Sequence, residues 1–170
     1  MLRENHIISK TCLRLMATAM LLFLASSSFS QSKYVRKYRP LADSLYQLYG
    51  VPASVILGVA IIESGSGTSR NAKLLNNHFG IVGKNNVLKT KGIRTRYKQY
   101  PSIRDSYYGF AQMLTRKKFY NRLKGNPNHL LWLDAMSKAG YSEVPLQWKT
   151  KIAATIRKQK LSSNTRLGYE

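Results

Sequence analysis

Cysteine is almost absent from this chain of 170 residues. The single one, Cys12, precedes an apolar run, whereas the first residue of a mature lipoprotein would follow it. Removal of that leader would leave no thiol at all, which excludes disulfides, a thiol nucleophile and a Cys-based zinc site. Acidic residues are scarce as well: seven Asp and Glu stand against 28 Lys and Arg, a net charge of +21. Carboxylate chemistry therefore has few candidates. Histidine occurs three times, with no H-E-x-x-H spacing and no G-x-S-x-G elbow nearby. That gives no support to a zinc hydrolase or a serine triad. Walker and Rossmann glycine patterns are missing too.

What is there begins with a leader. Arg3, Lys10 and Arg14 precede the uncharged run Leu15–Ala25, and small residues follow in Ser26-Ser27-Ser28-Phe29-Ser30. Basic, hydrophobic, small is the order of a secretory signal peptide. The run has 11 residues, short of the roughly 20 that a membrane span needs. Cleavage is expected after Ser30. Twenty-eight bases less three, and seven acids less one, leave +19. Such a charge calls for an anionic partner. Export disfavours nucleic acid and points to anionic cell-envelope polymers, so the expected location is secreted, periplasmic or at the envelope.

The rest reads as mostly helical. Residues 31–39 form a basic N-terminal segment, and Pro40 suits the first position of a helix with Leu41, Leu45 and Leu48 on one stripe, ended by Gly50. Pro52 opens a second helix. Its stretch Ala53–Ile62 is almost wholly apolar and should be buried on most sides. Thr68 or Ser69 can cap a short helix over 71–75, and residues 76–86 read as loop. Val87–Tyr100 carries β-branched and aromatic residues about Lys91-Gly92, which predicts a small hairpin. Ser102 and Asp105 form a capping box for a helix through Leu114. Further helices are expected over 128–139 and 145–160, with Trp132 and Trp148 on core-facing stripes.

Six acids would survive leader removal, and most have structural explanations. Asp43 falls in a first helical turn, Asp105 belongs to the capping box, and Asp134 lies four residues before Lys138. Glu170 is the last residue, and Glu143 sits open in a turn. Glu63 differs. It follows the ten nearly continuous apolar residues and precedes Ser64-Gly65-Ser66-Gly67. Burial and the negative end of a helix both raise a carboxyl pKa, which suits a general acid near neutral pH. The alternative is a structural ion pair with a buried arginine.

Several segments together resemble the glucosaminidase domain of glycoside hydrolase family 73. Gly50-Val51-Pro52-Ala53-Ser54 is followed by Ala60-Ile61-Ile62-Glu63-Ser64-Gly65-Ser66-Gly67-Thr68-Ser69, then by Asn77-His78-Phe79-Gly80-Ile81-Val82-Gly83. Downstream, Tyr97-Lys98-Gln99-Tyr100-Pro101-Ser102 and Ala139-Gly140-Tyr141-Ser142 continue the likeness in the family's order. The resemblance covers about Leu41–Leu161. It implies a lysozyme-like, mostly α fold with a small β-hairpin lobe over residues 40–162, leaving 163–170 as a tail. It also implies action on peptidoglycan glycan strands without a cofactor, at the β-1,4 bond from N-acetylglucosamine to N-acetylmuramic acid. By residue match Glu63 is the catalytic acid and Tyr141 the cleft tyrosine. The loop supplies Asn77, Phe79 and Gly80 to the sugar subsites, and Tyr97 and Tyr100 of the hairpin could line a glycan groove. Phe79 stands between stacking on a sugar and pinning its loop to the core.

Two departures matter. Val144 stands where the family has an Asp, with Glu143 one position earlier, and residues 64–104 contain no Asp or Glu. The second carboxylate of an ordinary glycosidase pair is thus unidentified, which brings in a substrate-assisted route through the sugar's 2-acetamido group. A lytic transglycosylase is the runner-up enzyme, although its usual G-L-M-Q-like segment is missing. A non-catalytic wall-binding module is the alternative of another class.

Overall fold

A computed structural model describes residues 32–164 of the chain. The leader, its cleavage site and the end of the tail lie outside the described residues. Eight α-helices and a terminal 3-10 turn are found among them: α1 Lys33–Tyr49, α2 Ala53–Ser64, α3 Arg70–Leu75, α4 Val87–Lys91, α5 Ile103–Thr115, α6 Tyr120–Leu123, α7 His129–Lys138 and α8 Pro145–Lys158, then Leu161–Asn164. The mostly helical reading agrees with this order.

Helix α2 is the axis of the molecule. Val55, Ile56, Leu57 and Val59 have no exposed surface, and burying each such side chain contributes roughly 1.5–3 kcal/mol. Helices α1, α7 and α8 pack around it. Gly58 lets α8 come close: a Cβ there would lie 2.8 Å from Ile156 and 3.0 Å from Ile152. The stop is built from Gly65, which adopts the left-handed conformation (φ 55°) and returns its N–H to the Ile61 carbonyl. Ser64 reinforces it, because its Oγ accepts from Gly67 N–H at 2.8 Å.

Helix α1 starts at Lys33, seven residues before the expected start at Pro40. Ser32 Oγ caps it by accepting from Val35 N–H, and Pro40 lies inside the helix. The reason is aromatic. Tyr34 and Val35 are buried and Tyr38 packs on the core, so the apolar stripe begins a full two turns earlier than leucine spacing suggests. Leu48, assigned to the stripe from sequence, is 59% exposed.

The expected hairpin about Lys91-Gly92 is the main correction. No strand is found among the described residues. Helix α4 covers Val87–Lys91, and the flanking segments meet in a single antiparallel bridge between Val82 and Tyr97. Side-chain amides occupy the carbonyls that a ladder would use. Asn85 Nδ2 donates to the carbonyls of Thr95 (3.0 Å) and Tyr97 (2.9 Å), and Asn77 Nδ2 donates to that of Lys98 (2.8 Å). Asn offers the backbone such partners in competition with sheet pairing. Of the β-branched residues that suggested strands, Val87 is buried on the short helix, Thr90 is exposed on it, and Ile93 and Thr95 follow in non-helical chain.

Candidate active site

Glu63 occupies the last turn of α2, where the apolar rod meets its glycine stop. The carboxyl group is half-buried. None of the ion pairs among the described residues involves it, so the arginine-paired alternative fails. Its hydrogen-bond partner is an indole: Trp148 Nε1–H, from α8, donates to Glu63 Oε1 at 2.7 Å. Burial pushes the Glu63 pKa above the ordinary carboxylate value, and the indole bond partly offsets that rise. The other oxygen lies against the loop, since a Cβ at Gly80 would sit 3.2 Å from Glu63 Oε2. Gly80 is also in the left-handed region (φ 65°), so glycine answers two constraints there.

Tyr141 closes the third side. It follows α7, and its hydroxyl donates to the Phe79 carbonyl at 2.9 Å. Its ring lies 5.0 Å from that of Trp148, tilted by 39°. Burial, and secondarily the Glu63 charge, hold its pKa well above the usual tyrosine value. It is therefore a neutral phenol whose proton is engaged and whose lone pairs remain free to accept. Glu63, Gly80, Tyr141 and Trp148 thus come together from α2, the 76–83 loop, the turn after α7 and the start of α8.

The other anticipated residues are arranged differently. Asn77 is 1% exposed and uses its whole amide inside the loop: Nδ2 donates to the carbonyls of Ile81 and Lys98, and Oδ1 accepts from Phe79 N–H and Ile81 N–H. Phe79, also 1% exposed, stacks on Phe110 with centroids 4.2 Å apart. The expectation that these two side chains touch sugar gives way to one in which they fix the loop that carries Gly80. For Phe79, the pinning alternative holds. Tyr100 is buried as well, its ring against Gly109 and its N–H on the Leu75 carbonyl. Tyr97 is half-buried and lines a separate cavity of about 220 Å³ with Arg70, Leu74 and Ile93. That cavity includes neither Glu63 nor Gly80, so Tyr97 is not gathered at the acid; Tyr100 lies nearer, with an electrostatic influence on Tyr141.

Beneath the site, Tyr34 Oη lies 2.6 Å from His78 Nδ1 and 2.9 Å from Tyr107 Oη. Burial, with a smaller contribution from the Lys37 charge, lowers the His78 pKa to about 4, so the imidazole is neutral at physiological pH. His78 is a buried support, as a loop histidine usually is. The remaining acids are committed elsewhere. Asp43 pairs with Arg39, Asp134 with Lys138 and Lys149, Asp105 caps α5, and Glu143 faces Arg96 at 3.7 Å with both side chains exposed. A groove of about 790 Å³ between α7 and α8, lined by His129, Leu130, Lys149, Ala153 and Arg157 among others, contains no carboxylate. Sequence reasoning missed Trp148, which it placed in the core. The side chain is only 6% exposed, as expected of core, but its one polar atom points at Glu63.

Comparison with known proteins agrees with this architecture. The chain superposes with a TM-score of 0.64 on the catalytic domain of the autolysin Auto from Listeria monocytogenes, at 19% identity over 86% of this chain and 96% of that one. The glycoside hydrolase domain of Salmonella typhimurium FlgJ gives 0.58 at 24% identity, over 76% and 88%. These likenesses show the fold. In sequence, the exo-glucosaminidase LytG of Bacillus subtilis (strain 168) is 30% identical over 137 residues, 71% of this chain. The chain spans about half the length of that curated relative, 48% of it. Residues 39–161 match the family described as mannosyl-glycoprotein endo-beta-N-acetylglucosaminidase, and the chain belongs to this glucosaminidase family of glycoside hydrolases.

Proposed function

We propose that this is an exported peptidoglycan hydrolase, an endo-β-N-acetylglucosaminidase that cleaves the β-1,4 bond between N-acetylglucosamine and N-acetylmuramic acid. Glu63 is its general acid. The observation that carries the reading is the state of that carboxyl: half-buried, raised in pKa by burial, in no ion pair among the described residues and held by one indole N–H. A group so placed keeps its proton to higher pH than an ordinary carboxyl and can give it to a glycosidic oxygen. Membership of a glucosaminidase family supports an N-acetylglucosamine-containing glycan as substrate, and the basic charge favours retention on anionic envelope polymer. Export rests on the leader at 1–30, with cleavage after Ser30.

The mechanism we favour is substrate-assisted. The other carboxylates among the described residues are capped, paired or on the exposed 143 turn. In this route the 2-acetamido carbonyl oxygen attacks the anomeric carbon while the glycosidic bond breaks and Glu63 protonates the leaving oxygen. Water then opens the oxazolinium ring, and the Glu63 carboxylate takes up the water's proton. Tyr141, with its own proton on Phe79, can accept the acetamide N–H and so steady the attacking group.

Purified sacculi test the reading. The wild type should release muropeptides that Glu63→Gln does not release, while both pellet with the wall. Products ending in a 1,6-anhydro sugar would replace hydrolysis by lytic transglycosylation. Pelleting without wild-type lysis would leave a binding module.

A further inference from the structure

We infer that Trp148 is the positioning residue of the general acid: its indole N–H holds Glu63 Oε1 as an acceptor and leaves Oε2 as the oxygen that carries the proton. The inference rests on the proposed role of Glu63 and deepens it.

Indole nitrogen can donate and cannot accept. With Trp148 Nε1 at 2.7 Å from Oε1, a proton on Oε1 would leave the indole the weaker hydroxyl oxygen as acceptor in place of the stronger carbonyl oxygen. The neutral carboxyl therefore places its proton on Oε2, the oxygen beside Gly80. An unheld carboxyl would rotate and divide its proton between both oxygens, only one of which can face the leaving group. Trp148 is itself fixed. Its ring packs against Tyr141, whose hydroxyl is tied to the Phe79 carbonyl, so the indole and the Gly80 loop are referenced to one turn.

The groups around the acid leave this bond as its main polar contact among the described residues. On α2, Ser64 Oγ turns away to Gly67 N–H and to the Ala60 carbonyl. From α1, Tyr34 reaches Ser64 and His78. The loop offers Gly80 and backbone. The turn offers Tyr141, kept neutral by burial. On α8, Lys149 follows Trp148 but bonds Asp134.

Indole proton resonances followed through a pH titration of the full-length protein test this directly. Trp148 should shift in one step whose midpoint lies above the ordinary carboxylate value, and Glu63→Gln should abolish the step. Trp132 is an internal control, because its N–H donates to the Asn126 carbonyl and has no titrating partner. The kinetic counterpart is Trp148→Phe, assayed on soluble glycan oligomers. Without the donor the carboxylate form is less favoured, so the alkaline limb of kcat moves up by about half to one pH unit. Looser aim lowers kcat about tenfold with KM nearly unchanged. Should that variant fold poorly, β-(3-benzothienyl)alanine at position 148 keeps the shape and deletes the donor. A wild type that lyses no sacculi overturns the proposed function. A lytic wild type with a flat Trp148 signal, or an unmoved limb in the donor-free protein, overturns the positioning role alone.

Discussion

Trp148 and Glu63 stand 85 positions apart in sequence, and the indole N–H of one donates to the carboxyl of the other at 2.7 Å. The contact joins the end of the buried helix to the first turns of α8. It gives the carboxyl a defined orientation with no ion pair to it among the described residues, so burial still raises its proton affinity while the indole fixes its direction. An arginine in the same place would pull the pKa down and disable the group as an acid at neutral pH.

Gly80→Ala should damage activity more than stability. Its left-handed backbone makes any Cβ costly by about 1–2 kcal/mol, and the new methyl would sit 3.2 Å from Glu63 Oε2, where the leaving oxygen must approach. We expect a melting temperature lowered by several degrees and a kcat reduced well beyond what that destabilisation explains. Steady-state rates and thermal melts on the same preparation check this.

Tyr141→Phe removes the hydroxyl that bonds the Phe79 carbonyl and leaves that acceptor without its partner. An unmet buried acceptor costs about 1–3 kcal/mol. Turnover should fall, because the loop bearing Gly80 loosens and the acetamide loses an acceptor. Undiminished turnover on sacculi would remove Tyr141 from the mechanism.

Acid stability should depend on His78. Its folded pKa of about 4 lies below the ordinary imidazole value of 6.5, so the unfolded chain binds this proton first as pH falls. The contribution is present above pH 6.5 and is lost progressively between 6.5 and about 4, worth on the order of 2–3 kcal/mol. His78→Phe should flatten the pH dependence of the melting temperature in that window, whatever its effect at neutral pH. Equal slopes in the two proteins would show that the imidazole does not titrate as placed.

Much of this was legible in the chain because it is local. Ser102 with Asp105, Gly50, and the apolar run closing on Glu63 and Gly65 all signal through near neighbours, and each forms as its spacing requires. What was not legible depends on partners brought from afar. The 87–100 region looks like a hairpin by β-branching, yet Asn77 and Asn85 take carbonyls of its second half. Tyr34 and Tyr38 lengthen α1 because their rings find His78 and Tyr107. Trp148 reads as core until α8 is seen against α2. A tryptophan at the fourth position of an apolar-striped segment gives no sign that its N–H faces an acid.

The most direct measurement of the central claim is mass spectrometry of muropeptides released from purified sacculi by the wild type and by Glu63→Gln. The account predicts fragments with N-acetylglucosamine at the reducing end from the wild type and none above background from the variant. It also predicts that the variant, which lacks a carboxyl whose ionised form burial disfavours, melts higher than the wild type at neutral pH. Equal release by both proteins would contradict the assignment of Glu63 as the acid.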